Sequence, residues 1–269
     1  MAIETLDQLV NALANNSSRF VIDKASIASA AAGQIFSLWR ATGVPGQGAI
    51  PAAAAICTSA LVGSFGFANQ TAPSSSYIGW LFGTATNNAT NLEIHDRLAH
   101  VGGLSGIVTT AQGALTLAGL DAYRLGAANY SNVQWWLEIY QDLGATGVNA
   151  TVNVTYNDDT SEALTAFALG ASPRAGRLYP LVPKTAGKFI KSVTSVTLSA
   201  TTGTAGNFGI TCTRQCTIAS FALANKSEIF DWQMLGLPQV QNSACLQMLM
   251  TCSTTSTGAI RGAGKILHG

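Results

Sequence analysis

Apolar residues near the start of the chain recur at helical spacing, whereas beyond Ser76 they recur at every second residue. Leu6, Leu9, Val10 and Leu13 follow Thr5, and Gln8 three places on completes a capping-box pattern, which predicts a short helix. Ile27, Ala31, Ile35 and Leu38 predict a second helix over 25–41, ending before Gly43-Val44-Pro45-Gly46, with Gly33 an unfavourable residue in its middle. Residues 43–76 read as loop and irregular apolar segments that close with the breaker-rich QTAPSSS.

Past Ser76, short alternating runs separated by Gly, Asn and Asp clusters predict strands over 77–84, 91–98, 105–117, 133–141, 148–157, 162–169, 177–182, 188–199, 207–223, 244–252 and 257–267. In the clearest of them Val152, Val154 and Tyr156 alternate with Asn153 and Thr155. It runs into Asn157-Asp158-Asp159-Thr160, residues suited to a hairpin turn. In the run at 188–199, Phe189 and Val193 share one face while Val196 and Leu198 need another, so a bulge is expected near Val193. Burying Trp135, Leu137 and Ile139 turns Trp136, Glu138 and Tyr140 to the opposite side of their strand. That second face is either covered by another part of the chain or used as a subunit contact. These patterns imply a mainly β fold: an antiparallel β-sandwich of jelly-roll type over 71–269, preceded by a short, partly helical N-terminal arm over 1–70.

Composition changes the picture at one point, the exterior. Charged residues are 10% of the 269 residues, against about 25% in an ordinary soluble domain. A chain so poor in charge is expected to hide much of its surface in partner contacts, with a coat of Ser, Thr and Asn as the alternative. The net charge of +1 supplies no long-range attraction for nucleic acid or acidic membranes. The longest apolar stretch, residues 49–63, is too short to span a bilayer and is interrupted by Pro51. The acidic start MAIETLDQLV does not resemble a signal peptide, so synthesis and retention in the cytoplasm are expected. Five cysteines without such a signal suggest free thiols. Four residues of extended chain hold Cys212 and Cys216 about 13 Å apart, beyond bridging distance.

Candidate chemistry fails on spacing. His95-Asp96-Arg97-Leu98-Ala99-His100 is the one cluster with two histidines, but five residues place them on opposite faces of a strand and off the alignment of a helical zinc pair. They are expected as a surface or hydrogen-bonded loop pair, and His268 as an exposed residue. Gly103-Leu104-Ser105-Gly106 lacks the residue that a serine-hydrolase elbow places between Ser and the second Gly. Around Gly264-Lys265, Ala259 and Ile266 occupy the first-glycine and hydroxyl positions of a phosphate-binding loop. No catalytic residue, metal or cofactor is therefore expected, and the protein reads as a non-enzyme.

Five segments resemble structural proteins encoded in the head and tail gene clusters of tailed bacteriophages: 24–51 (KASIASAAAGQIFSLWRATGVPGQGAIP), 95–112 (HDRLAHVGGLSGIVTTAQ), 133–156 (VQWWLEIYQDLGATGVNATVNVTY), 174–183 (RAGRLYPLVP) and 189–214 (FIKSVTSVTLSATTGTAGNFGITCTR). None is a chemical motif, and the segment from about Lys226 onward lies outside the likeness. The resemblance implies a virion component assembled in the host cytoplasm, foremost a head decoration or cement protein. Its implied partners are further copies of itself, with a trimer natural at local three-fold positions, and the major capsid protein. Nucleic acid and membrane are not among them. The alternative is a tail, neck or baseplate component, or a glycan-binding adhesin in which Trp136 and Tyr140 stack on sugar rings. The contact residues expected from the apolar pattern are Leu6, Leu9, Phe20, Phe36, Trp39, Trp136 and Tyr140.

Overall fold

Phe20 and Ile22 alternate with Arg19, Val21 and Asp23, and they form a strand absent from the expected set. The computed structural model, which describes every residue except Met1, Ala2, Ser29 and Thr254, places it as β1 (Ser17–Lys24). It is followed by β2 (Ile35–Ser37), β3 (Gly43–Val44), β4 (Ala55–Ile56), β5 (Ser76–Ala85), β6 (Thr90–Leu104), β7 (Gln134–Gln141), β8 (Val148–Tyr156) and β9 (Ser161–Ala163). The remaining strands are β10 (Phe167–Gly170), β11 (Arg177–Pro180), β12 (Ile190–Leu198), β13 (Asn207–Phe221), β14 (Glu228–Asp231), β15 (Gln239–Val240), β16 (Leu246–Thr251) and β17 (Ile260–His268). The sheets are built from antiparallel pairs such as β1–β17, β5–β17, β6–β16, β7–β13 and β8–β12, and the fold is mainly β with a short N-terminal helix, as the apolar pattern implied.

That helix, α1 (Leu6–Asn15), carries the expected capping box: Thr5 accepts from the backbone of Gln8, and the Gln8 side chain returns to the Thr5 backbone. The predicted helix over 25–41 does not form. Gly33 sits at φ +77°, Ala28 bridges to Ser256, and Phe36, Ser37, Leu38 and Trp39 are buried consecutively in β2 and a single 3-10 turn. Burial on all sides removes the polar face that an amphipathic helix requires.

The chain falls into two compact units. The first comprises residues 1–48, 58–96 and 216–269. Its main sheet has the order β14-β5-β17-β1-β3, with β15 also on β5, and β16 pairs with β2 and with the first half of β6. Phe20, Ile22, Ile78, Leu81, Leu92, Ile94, Phe221, Met248 and Met250 fill the space between these strands. Lys24, also buried, donates to the carbonyls of Ala41 at 3.0 Å and Pro45 at 2.7 Å, which ties the loop after β2 to β1.

The second unit comprises residues 49–57 and 97–215. Here β13 and β11 flank β7, while β10, β8 and β12 form a facing sheet with β9 on β8. Alternate residues point inward from both layers, among them Trp135, Leu137, Ile139, Phe208 and Ile210 against Val152, Val154, Tyr156, Val193 and Val196. Each such side chain contributes roughly 1.5–3 kcal/mol by leaving water. The turn after β8 is a hairpin with Asp159 at φ +62°, and the register of β12 slips on both sides of Val193, where a bulge was expected. The predicted strand over 105–117 is instead a loop with isolated bridges at Gln112 and Leu115. Gln112 closes it through bonds to the backbone of Ser105.

Candidate functional site

Ionisable residues inside an apolar strand need partners, and β6 carries several. In its second half Arg97 has no solvent exposure. Its Nη2 donates to Glu138 Oε2 at 2.7 Å, Tyr140 Oη at 2.6 Å and Thr211 Oγ1 at 3.0 Å, and its Nε to His100 Nδ1 at 3.0 Å. Thr211 also donates to Glu138 and bonds Tyr140 at 2.9 Å. Arg124, buried as well, bonds the carbonyls of Cys57 and Arg97. Strands β6, β7 and β13 of the second unit thus share one internal ionic cluster.

Electrostatics fixes the protonation states. Burial is the largest single influence on Arg97 and pulls its pKa down, but the charge and hydrogen bond of Glu138 together with Tyr140 and Cys57 outweigh it, and the net shift is upward. Burial, and then the Arg97 charge, push His100 down to about 3. Burial raises the Tyr140 phenol well above its usual range. The cluster is a neutral His, a paired carboxylate and a guanidinium whose donors are directed at protein groups, an arrangement suited to holding three strands in register.

Outside the cluster, His95 bonds Glu93 at 2.8 Å in the first half of β6. His95 and His100 are therefore both strand residues, buried and hydrogen-bonded, and not a surface loop pair. His268 is buried also, with Ser18 at 2.7 Å and Ser76 at 3.0 Å on its two ring nitrogens, because β17 is an inner strand between β1 and β5. Cys57, Cys212, Cys245 and Cys252 are buried and Cys216 is half-buried. Among the described residues no group of three His, Cys, Asp or Glu side chains could hold a metal ion, and no helix is long and apolar enough to cross a membrane.

The expected contact residues are mostly internal. Leu6 is 61% exposed on α1, but Leu9 packs on Leu267, Phe20 lies 4.5 Å from Phe65 between ring centroids, and Phe36 packs with Ala30 and Cys252. Trp39 is buried against Gly48 and Gly63. Trp136 donates from its indole to Thr213 at 2.9 Å and Tyr140 belongs to the ionic cluster; both are buried, so the second face of β7 is not an open platform for sugar rings. Sequence reasoning missed Arg97 and Glu138 as partners. The available signal was an acid inside the apolar run of β7 and a base in β6 between the two histidines already singled out.

Open grooves mark the surface of both units. One, of about 310 Å³ in the second unit, is lined by Trp135, Trp136, Leu181, Val182 and Phe189. Another, of about 580 Å³, crosses the outer face of the main sheet of the first unit between Val21, Trp80, Phe82, Ala263 and Lys265.

Fold and site define a class: an antiparallel β protein built from two sandwich-like units, with an internal ionic cluster and apolar surface grooves. No protein-family profile matches the chain, and no curated protein matches it. Among solved structures it is similar to the infectious bursal disease virus VP2 subviral particle at 10% identity and a TM-score of 0.19, covering 94% of this chain and 79% of that one. The structure of the Gx strain of that virus gives 12% identity and a TM-score of 0.19, covering 91% and 80%. At such scores the superpositions define no common fold, and the functional reading rests on this chain's own residues.

Proposed function

We propose that the protein is a non-enzymatic structural component of a bacteriophage virion, foremost a head decoration protein that binds the assembled shell. The observation that carries this reading is the exterior. The chain has only 14 basic and 13 acidic residues, its most connected ionic cluster is internal, and large apolar side chains such as Val62, Val182, Ile229 and Met234 stand more than half exposed. Such a surface suits a protein that is covered by neighbours in its working state. The resemblance of five segments to phage structural proteins points the same way. A protein that binds the assembled shell and not its free subunits stabilises the shell by mass action, which requires contact area and no chemistry. Incubation of the purified protein with bare heads of the phage that encodes it, followed by sedimentation, tests the reading. Saturable pelleting with the heads is expected, and no pelleting at micromolar concentration would overturn it.

A further inference from the structure

The outer face of the main sheet in the first unit is laid out in rows by strand register. Asp231, Trp80, Lys265 and Arg19 form one row across β14, β5, β17 and β1; Ile229, Phe82, Ala263 and Val21 form the next. Directly opposed residues of antiparallel strands share a face, so both rows point outward together. Ile229 and Val21 are 60% and 43% exposed at the two ends, and Trp80 and Phe82 stack at 6.3 Å between ring centroids beside the groove over Ala263.

The order of residues within the rows is self-complementary. A two-fold axis parallel to the strands, placed between β5 and β17, lays β14 of one copy over β1 of the other and β5 over β17. The bulky Phe82 then meets the small Ala263 and its groove, Ile229 meets Val21, and the acid Asp231 meets Arg19. Turning the axis by 90° would instead set β1 over β1 and lose the match of Asp231 to Arg19. From this charge and size complementarity we propose that the face pairs with the same face of a second copy of the chain, forming a two-fold dimer by sheet-on-sheet packing.

Four strands spaced by about 4.8 Å give a patch at the low end of specific interfaces. The dimer is accordingly expected at a dissociation constant on the order of 10–100 µM. The proposal deepens the self-contact within the virion role, but its test uses the isolated protein, so failure to bind heads leaves it standing and failure to dimerise leaves head binding untouched.

Sedimentation equilibrium of the full chain from 5 to 500 µM, each value on the order of the expected range, is the experiment. A monomer–dimer equilibrium is expected. Val21→Glu combined with Ile229→Glu should weaken it at least tenfold, with the circular dichroism spectrum and melting temperature unchanged because both positions are exposed. Arg19→Gln and Asp231→Asn, the latter keeping a side chain that can cap the following turn, should each weaken dimerisation by a similar factor, and the double variant by no more than either alone. A wild type that stays monomeric throughout, a trimer, or a folded Val21→Glu/Ile229→Glu variant that dimerises as the wild type does would overturn the proposal. Additive effects of the Arg19 and Asp231 variants would overturn its geometry.

Discussion

Arg97 and Glu138 are joined at 2.7 Å with neither side chain exposed to solvent. Removing one member of a buried pair leaves the other charge uncompensated, at roughly 3–5 kcal/mol, whereas replacing both with apolar residues of similar size is often close to neutral. Glu138→Ala is therefore expected to destabilise the second unit by that amount in urea denaturation. Arg97→Met with Glu138→Met should recover at least half of the loss. A cost below about 1 kcal/mol for Glu138→Ala would show that the pair does not hold the strands.

His100 links the same cluster to pH. Its Nδ1 accepts from Arg97 Nε, so the ring is neutral, and its pKa in the folded chain is about 3. The unfolded chain takes up this proton near the ordinary value of 6.5. Between the two values the unfolded state binds more protons, so the stability present in full above about pH 6.5 declines as the pH falls toward 3, by up to about 1.4 kcal/mol per unit. Urea midpoints between pH 7 and 4.5 should fall for the wild type and be flatter for His100→Gln. The carboxylates of exposed Asp158 and half-buried Glu162, whose pKa values are lowered in the folded chain, act below this window. Equal slopes in the two proteins would contradict the assignment.

Gly264 in β17 lies directly against the Phe20 ring, and a Cβ at that position would fall 2.1 Å from Phe20 Cζ. Gly264→Ala is expected to destabilise by roughly 1–3 kcal/mol through overpacking. Phe20→Leu in that background should cost less than Phe20→Leu alone, a coupling that a double-mutant cycle in thermal or chemical denaturation measures directly.

The N-terminal segment was expected to be an arm, yet β1 pairs with β17 along its whole length and with β3 on its other side. Deleting residues 1–24 removes that strand and exposes the edge of β17, which favours aggregation. Insoluble expression is expected for this deletion and soluble, folded protein for deletion of residues 1–4. A monodisperse, cooperatively melting product lacking residues 1–24 would contradict the role of β1.

Much of the architecture was legible from local patterns. The capping box at Thr5 and Gln8 fixed α1, the alternation of Val152, Val154 and Tyr156 fixed β8, and the mismatch around Val193 located the bulge. Each of these signals lies within a few neighbouring residues, where sterics and hydrogen bonding act without reference to the rest of the fold. Tertiary structure decided what covers each face. Ile27, Ala31, Ile35 and Leu38 kept helical spacing, but burial of consecutive residues from Phe36 to Trp39 overrode it. Trp136 and Tyr140 alternate as outward residues would, yet Thr213 and Thr211 satisfy their polar groups inside the protein. Arg97 and Glu138 are 41 positions apart. Only the pairing of strands brings this base and this acid to hydrogen-bond distance in a medium that makes each the necessary partner of the other.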